Sequence, residues 1–239
     1  MKEIDVCLSP ALYHLYKTEK QVVVVIDVIR ASTSICTAFH SGVSKIFPVI
    51  SADEALLAKK KGHIISGERN SEKLDGFDLG NSPFEFQSPK LKGKELTMTT
   101  TNGTFAIQTA QSAHQVLIGS FINFDFLTNY LLNQENDVLL LCAGWEQKVN
   151  IEDSLFTGKI AQALIHSGTF SSSSDSVSLA IEIYNSAKKD LFSYIVSSSP
   201  RLKSKLSFLE DDIRYCLYGE QLNVLPVLKV DCLLDLKSF

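Results

Sequence analysis

The hydrophobic pattern changes period along the chain. From Val22 to Ile26 five β-branched residues follow one another without polar alternation, the mark of a strand covered on both faces inside a parallel sheet. A second such run covers Asp137 to Leu141, and shorter apolar stretches at 3–9, 45–50, 63–66, 95–99 and 115–118 read as further strands. Between them the apolar positions recur at helical spacing. Ile35, Ala38 and Phe39 precede Gly42, and Ala55 to Lys61 follows the capping pattern Ser51-Ala52-Asp53-Glu54. Helices are also expected at 100–111, 125–133 and 150–167, and a helix or loop over 10–20. Strands alternating with helices predict an α/β protein, three-layer α/β/α, around a mainly parallel or mixed central sheet.

The texture changes after Gly168. Serines crowd residues 171–178, which reads as a flexible link, and 177–218 is mainly helical with a break near Ser197 to Pro200. Leu222 to Val230 then returns to strand. The expected organisation is an α/β core over 1–168 that carries the site, and a helical C-terminal insertion over 169–239 whose final strand rejoins the core.

Composition narrows the functional classes. With 239 residues, 45% of them hydrophobic, and a formal net charge of −4, the chain reads as an ordinary globular protein. Its only basic run is Lys59-Lys60-Lys61, so no nucleic-acid partner is expected. Five scattered cysteines without CxxC spacing argue against a disulfide framework and a zinc site, and favour a reducing cytoplasm. Charges at Lys2, Glu3 and Asp5 leave no apolar leader, and no stretch approaches the roughly 18 apolar residues of a membrane span. No GxGxxG, GxxxxGK[ST] or GxSxG occurs, and Ile29 stands two positions after Asp27, where an aspartyl-phosphate phosphatase has a second Asp.

The candidate chemistry sits at strand exits. Asp27 and Arg30 follow the most buried strand, and Ser32, Thr33 and Ser34 open the next helix, where unpaired N–H groups favour anions. Gly67-Glu68-Arg69 repeats the pairing of carboxylate and guanidinium, and a turn-rich loop over 70–89 carries Asp78 and Asn81. Thr101, Asn102, Gly103 and Thr104 begin another hydroxyl-rich helix, Gly144 lies in a turn of small residues, and Asp153 falls in a helix's first turn. Each has a plain structural alternative: a cap, a tight turn, or an acid that complements a helix dipole. Asp27, Glu68, Asp78 and Asp153 are hard oxygen donors suited to Mg²⁺, and Arg30 and Arg69 suit bidentate recognition of phosphate or carboxylate. With the exits on one edge of a parallel sheet, these groups suit phosphoryl transfer to water, which is largely positioning and neutralisation of charge.

The blocks Asp27-Val-Ile-Arg30-Ala-Ser-Thr-Ser34, Gly67-Glu68-Arg69, Gly76-Phe-Asp78-Leu-Gly-Asn81-Ser-Pro83, Thr100-Thr-Asn102-Gly103-Thr104, Gly119-Ser-Phe-Ile-Asn123 and Cys142-Ala-Gly144 with Glu152-Asp153 resemble, in order and spacing, the 2-phosphosulfolactate phosphatase family. The resemblance runs from about residue 20 to 165. It implies an Mg²⁺-dependent phosphatase that hydrolyses 2-phospho-3-sulfolactate, or a related 2-hydroxy acid phosphate, to the hydroxy acid and phosphate, a step of coenzyme M biosynthesis in that family. It also implies that Asp27, Arg30, Glu68, Arg69, Asp78, Asn81, Asn102 and Asp153 line the active site. From the chemistry, Asp27, Glu68 and Asp153 are the expected metal ligands; Arg30 or Arg69 would neutralise phosphate and the other would hold the sulfonate or carboxylate. The attacking group is a water or a hydroxyl of Ser32, Thr33 or Thr101. Two segments depart from the family pattern, with Asn70-Ser71 standing where glycines are usual and Trp145 to Lys148 bulkier than its counterpart. A non-catalytic anion-binding or regulatory module on the same scaffold, and a metal-dependent enzyme of another reaction type, are the alternatives; a homodimer is one assembly the chain allows.

Overall fold

In the computed structural model residues 1–16 and 19–238 are described, so Lys17, Thr18 and Phe239 of the segments expected above lie outside that set. The strands are β1 (Lys2–Cys7), β2 (Val22–Ile26), β3 (Lys45–Pro48), β4 (Ile64–Arg69), β5 (Glu72–Lys73), β6 (Glu95–Thr99), β7 (Gln115–Gly119), β8 (Val138–Cys142), β9 (Phe170–Ser171), β10 (Pro226–Lys229) and β11 (Cys232–Asp235). The helices are α1 (Ala31–His40), α2 (Ala52–Lys60), α3 (Gly103–Thr109), α4 (Phe124–Asn133), α5 (Ile151–His166), α6 (Asp175–Ala187), α7 (Leu191–Ser198), α8 (Pro200–Ser204) and α9 (Leu206–Tyr218). Pro10–Leu15 forms a 3-10 helix.

Among the described residues one mixed sheet of 11 strands runs in the order β5-β4-β6-β3-β11-β10-β7-β2-β8-β1-β9. Two parallel blocks lie in it, β4-β6-β3 and β7-β2-β8-β1-β9. Every residue of β2 and β8 is buried, as their unbroken apolar runs require.

The hairpin β10–β11 joins the blocks, antiparallel to β7 on one side and to β3 on the other. Three reversals from β3 to β7 make the blocks run in opposite senses along the ladder, so the strand exits do not share one edge of a parallel sheet as the alternation suggested. The exits of β2 and β6 meet because the helices that follow them pack together. A Cβ at Gly103, the first residue of α3, would lie 2.6 Å from Ala31 Cβ in α1 and 2.8 Å from Asp27 Oδ2. Glycine allows this approach where any side chain would block it.

Helices cover both faces. α1 and α3 share an apolar cluster with strands of both blocks, including Val23, Ile46, Met98, Leu139 and Leu233. On the opposite face α4, α5, α6, α7 and α9 pack over β2 and β8 through Leu127, Phe156, Ala180, Ile195 and Ile213. The segment after β9 differs from the serine-rich link expected there, because α6 begins at Asp175 with Ser176 Oγ donating to Val6 O at 2.8 Å. The expected final strand over 222–230 is the hairpin instead, turning at Val230 and Asp231.

α6 seats against α5 at Gly158, where an added Cβ would come within 2.0 Å of Ala180 O. A methyl group there cannot be absorbed by a rotamer change, since the atom it meets is backbone. Gly158→Ala is expected to lower the urea midpoint at unchanged slope, at a cost of about 1–3 kcal/mol. A variant as stable as the parent would show that α5 and α6 do not pack at this distance.

Candidate active site

The chain leaves β2 at Asp27, which is 8% exposed, and turns into α1 through two bonds: Ser32 N donates to Asp27 O at 2.8 Å, and Asp27 N donates to Ser32 Oγ at 2.9 Å. The Asp27 carboxylate takes the Ala31 N–H. Burial, and next the negative Glu68, push its pKa from the ordinary 3.8 to about 7, with Glu152 adding to the rise.

Glu68 is the last residue but one of β4 and is equally buried. Its Oε1 accepts from Thr101 N at 2.9 Å and its Oε2 from Ser71 N at 2.8 Å, tying the exits of β4 and β6 together. The loop that supplies Ser71 has left-handed backbone at Asn70 and Ser71, φ 55° and 73°. The positions where the family usually has glycine thus keep a conformation that favours glycine. Glu146 and Gln147 are left-handed too, φ 51° and 60°, and Glu146 N donates to Asn102 Oδ1 at 2.9 Å.

Asp153 and Glu152 come from the first turn of α5 and lie behind Asp27. Asp153 is fully buried; Oδ1 accepts from Val28 N at 2.8 Å, and Oδ2 from Gly144 N at 3.1 Å and Asn150 Nδ2 at 2.9 Å. Burial, then Asp27, then Glu152, hold its carboxyl well above the usual range. Gly144 is left-handed, φ 65°, with no room for a Cβ against Lys148 O, and this backbone turn aims the Gly144 N–H at Asp153. Glu152 Oε1 meets Arg201 and Asn150 Nδ2, while Oε2 is buried with no partner among the described residues.

A cleft of about 50 Å³ opens over these groups, lined by Asp27, Arg30, Glu68, Asn81, Thr101, Asn102, Trp145, Glu146, Arg201 and Lys205 among others. Arg30 donates through Nη1 to Asp212 Oδ2 at 2.5 Å and through Nη2 to Ser71 O at 2.8 Å. Lys205 Nζ donates to Ser71 Oγ at 2.8 Å. Three cations therefore face the acids in one cleft. Asn81 Oδ1 is buried and has no partner among the described residues.

The structure places the sequence-derived candidates unequally. Asp27, Arg30, Glu68, Asn81, Thr101 and Asn102 line the cleft, and Gly103 abuts Asp27. Arg69 turns away: it donates to Glu68 O, Ile50 O and Thr99 Oγ1, and lines a neighbouring cavity. Asp78 lies outside the cleft, paired with Lys59 Nζ at 2.5 Å and accepting from Ile65 N at 3.0 Å. Thr33 donates to Val28 O and contacts Ser120 Oγ, Ser34 donates to Asn81 O, and Thr104 donates to Thr100 O, so their hydroxyls brace the loops. Of the three candidate nucleophilic hydroxyl residues, Thr101 alone lines the cleft. Arg201, Lys205 and Asp212 were not among the sequence-derived candidates, and Glu152, quoted with Asp153 in the family-like blocks, was given no role.

Among the described residues no three His, Cys, Asp or Glu side chains form a group that could hold a metal ion by themselves. Of the expected trio, Asp27 and Glu68 line the cleft, whereas Asp153 is fully buried behind Asp27 and outside that lining. Asp27 and Glu68 are the two of these acids open to an ion in the cleft. One or two carboxylates with retained waters and substrate oxygens are the donor set that Mg²⁺ accepts, so the residues fit that ion.

A cleft that gathers cations to grip an anion and acids to act on it, on a three-layer α/β scaffold, has the character of a phosphoric monoester hydrolase. Comparison with known proteins agrees with that class and narrows it. The family model for 2-phosphosulpholactate phosphatase matches residues 7–231. A protein from Thermotoga maritima named probable 2-phosphosulfolactate phosphatase is 35% identical over 237 residues, covering 99% of both chains. Proteins of the same name from Clostridium novyi and Carboxydothermus hydrogenoformans are 34% identical over 228 residues and 43% identical over 164 residues, covering 94% and 68% of this chain and 96% and 67% of their own. The chain belongs to the 2-phosphosulfolactate phosphatase family. Among the described residues no helix is long and apolar enough to cross a membrane.

The raised pKa of Asp27 sets a sign for stability. Between about pH 4 and 7 the folded protein keeps a proton that the unfolded chain releases, so this group's contribution falls as pH rises through that window. In metal-free buffer Asp27→Asn is expected to gain on the parent by a few kcal/mol between about pH 5 and pH 8, read from paired thermal melts. A gap between the two proteins that does not change with pH would mean that Asp27 is ionised throughout.

Proposed function

We propose that the cleft hydrolyses 2-phosphosulfolactate, or a closely related 2-hydroxy acid phosphate, with Mg²⁺ as cofactor. The observation that carries this reading is the single cleft in which Arg30, Arg201 and Lys205 face Asp27 and Glu68. A substrate with a phosphate and further anionic groups needs several cations at once, and guanidinium presents paired donors to paired oxygens. The family shared with the relatives supports the same substrate class.

In this reading Arg30, Arg201 and Lys205 bind and orient the dianionic end and the acid groups of the substrate. Thr101 N and Ser71 N hold Glu68 in place. Asp27 lines the cleft and accepts the proton of the attacking water. Asp27 and Glu68 would hold Mg²⁺, which supplies charge neutralisation at the phosphoryl oxygens.

Phosphate release from 2-phosphosulfolactate is expected with added Mg²⁺ and to be lost in EDTA, returning when Mg²⁺ is restored. Asp27→Asn is expected to lower turnover by about 10²- to 10⁴-fold with the fold intact by circular dichroism. Near-parental turnover in that variant removes Asp27 from the chemistry. Binding of the substrate without release of phosphate by the parent protein would instead favour a non-catalytic anion-binding module.

A further inference from the structure

The pairing of Arg30 is the feature that the proposed function leaves unexplained. A cation meant for substrate is usually left open, yet Arg30 Nη1 sits 2.5 Å from Asp212 Oδ2 with both side chains nearly buried, 8% and 9% exposed. Asp212 belongs to α9, 182 residues further along the chain. It is itself fixed, because Ser82 Oγ donates to its Oδ1 at 2.6 Å. On the other side Arg30 Nη2 donates to Ser71 O, and Ser71 N donates to Glu68 Oε2.

Two of the five N–H groups of the guanidinium are committed in these bonds among the described residues, and the rest remain for a ligand in the cleft that Arg30 lines. The same cleft holds Asp27 and Glu68. Without a carboxylate behind it, the guanidinium would be drawn onto those acids, since a buried cation seeks the nearest negative partner. Its donors would then be spent on the groups that must stay available.

We infer that Asp212 is a positioning residue: from α9 it holds Arg30 off the acid cluster and directs its remaining N–H groups at the anionic substrate. The inference rests on the reading of the cleft as a substrate site. It makes α9 a working part of that site and assigns Ser82, on the far side of Asp212, a share in aligning the pair.

The test is a double-mutant cycle of Asp212→Asn and Arg30→Ala. It is read both as KM and kcat for phosphate release from 2-phosphosulfolactate and as the affinity for inorganic phosphate by calorimetry, with thermal melts to confirm folding. Asp212→Asn alone is expected to raise KM roughly tenfold while kcat changes less, and to weaken phosphate binding similarly. In the Arg30→Ala background the same substitution is expected to change neither, and Asp212→Glu is expected to recover part of the affinity. Additive losses across the cycle, an unchanged KM in Asp212→Asn, or a parent that binds no phosphate overturn the inference. A parent that is active but shows additive losses leaves the phosphatase reading standing. A parent that releases no phosphate yet shows the non-additive cycle in binding defeats that reading alone.

Discussion

Mutual repulsion among four carboxylates is the constraint around which the rest of the site is arranged. Asp27, Glu68, Glu152 and Asp153 come from three separate elements, and Asp27 and Asp153 are both raised in pKa by burial and by acidic neighbours. Such a group is costly in a folded protein unless each charge is answered. Asp153 is answered by N–H donors from the β2 exit, the Gly144 turn and Asn150, and Glu152 by Arg201 from α8. Asp27 has the least compensation. That residual deficit is what a phosphatase can use, because a site short of positive charge attracts cations.

This constraint explains why the C-terminal helices belong to the chemistry. Arg201 lies on α8, Lys205 in the link between α8 and α9, and Asp212 on α9. Each reaches a different exit: Arg201 the start of α5, Lys205 the loop after β4, and Asp212 the turn after β2. The three contacts draw loops from both parallel blocks under one cover, although the blocks run in opposite senses.

Much of this was legible in the sequence where local physics dictates structure. Val22–Ile26 and Glu95–Thr99 have the strand bounds that their apolar runs suggest, and Ser51 caps α2 with its hydroxyl accepting from Glu54 N. Asp27 and Glu68 stood out because each sets a carboxylate close to a guanidinium at the end of a strand, although a turn cap explained either as well. Asp78, picked as a hard oxygen donor in a turn-rich loop, lies elsewhere, since that loop folds back onto Lys59 and the edge of β4. Arg69 alternates off the strand to the side opposite Glu68, a period-two effect visible only when the strand runs through both residues, as β4 does. Arg201, Lys205 and Asp212 gave no signal, because charges on an amphipathic helix look the same whether they meet water or a cleft. The hairpin of β10 and β11 was read as one strand because its turn lacks glycine or asparagine: Val230 itself takes the left-handed position, φ 59°.

The place of that hairpin bears on how the molecule is made. Synthesis delivers residues 226–235 after every other strand of the sheet, yet they occupy its middle, between β3 and β7. Until they emerge from the ribosome, the two blocks present bare inner borders whose unpaired amide and carbonyl groups invite the wrong neighbour. A nascent chain of this protein is therefore open to misassembly until the hairpin takes its place between β3 and β7.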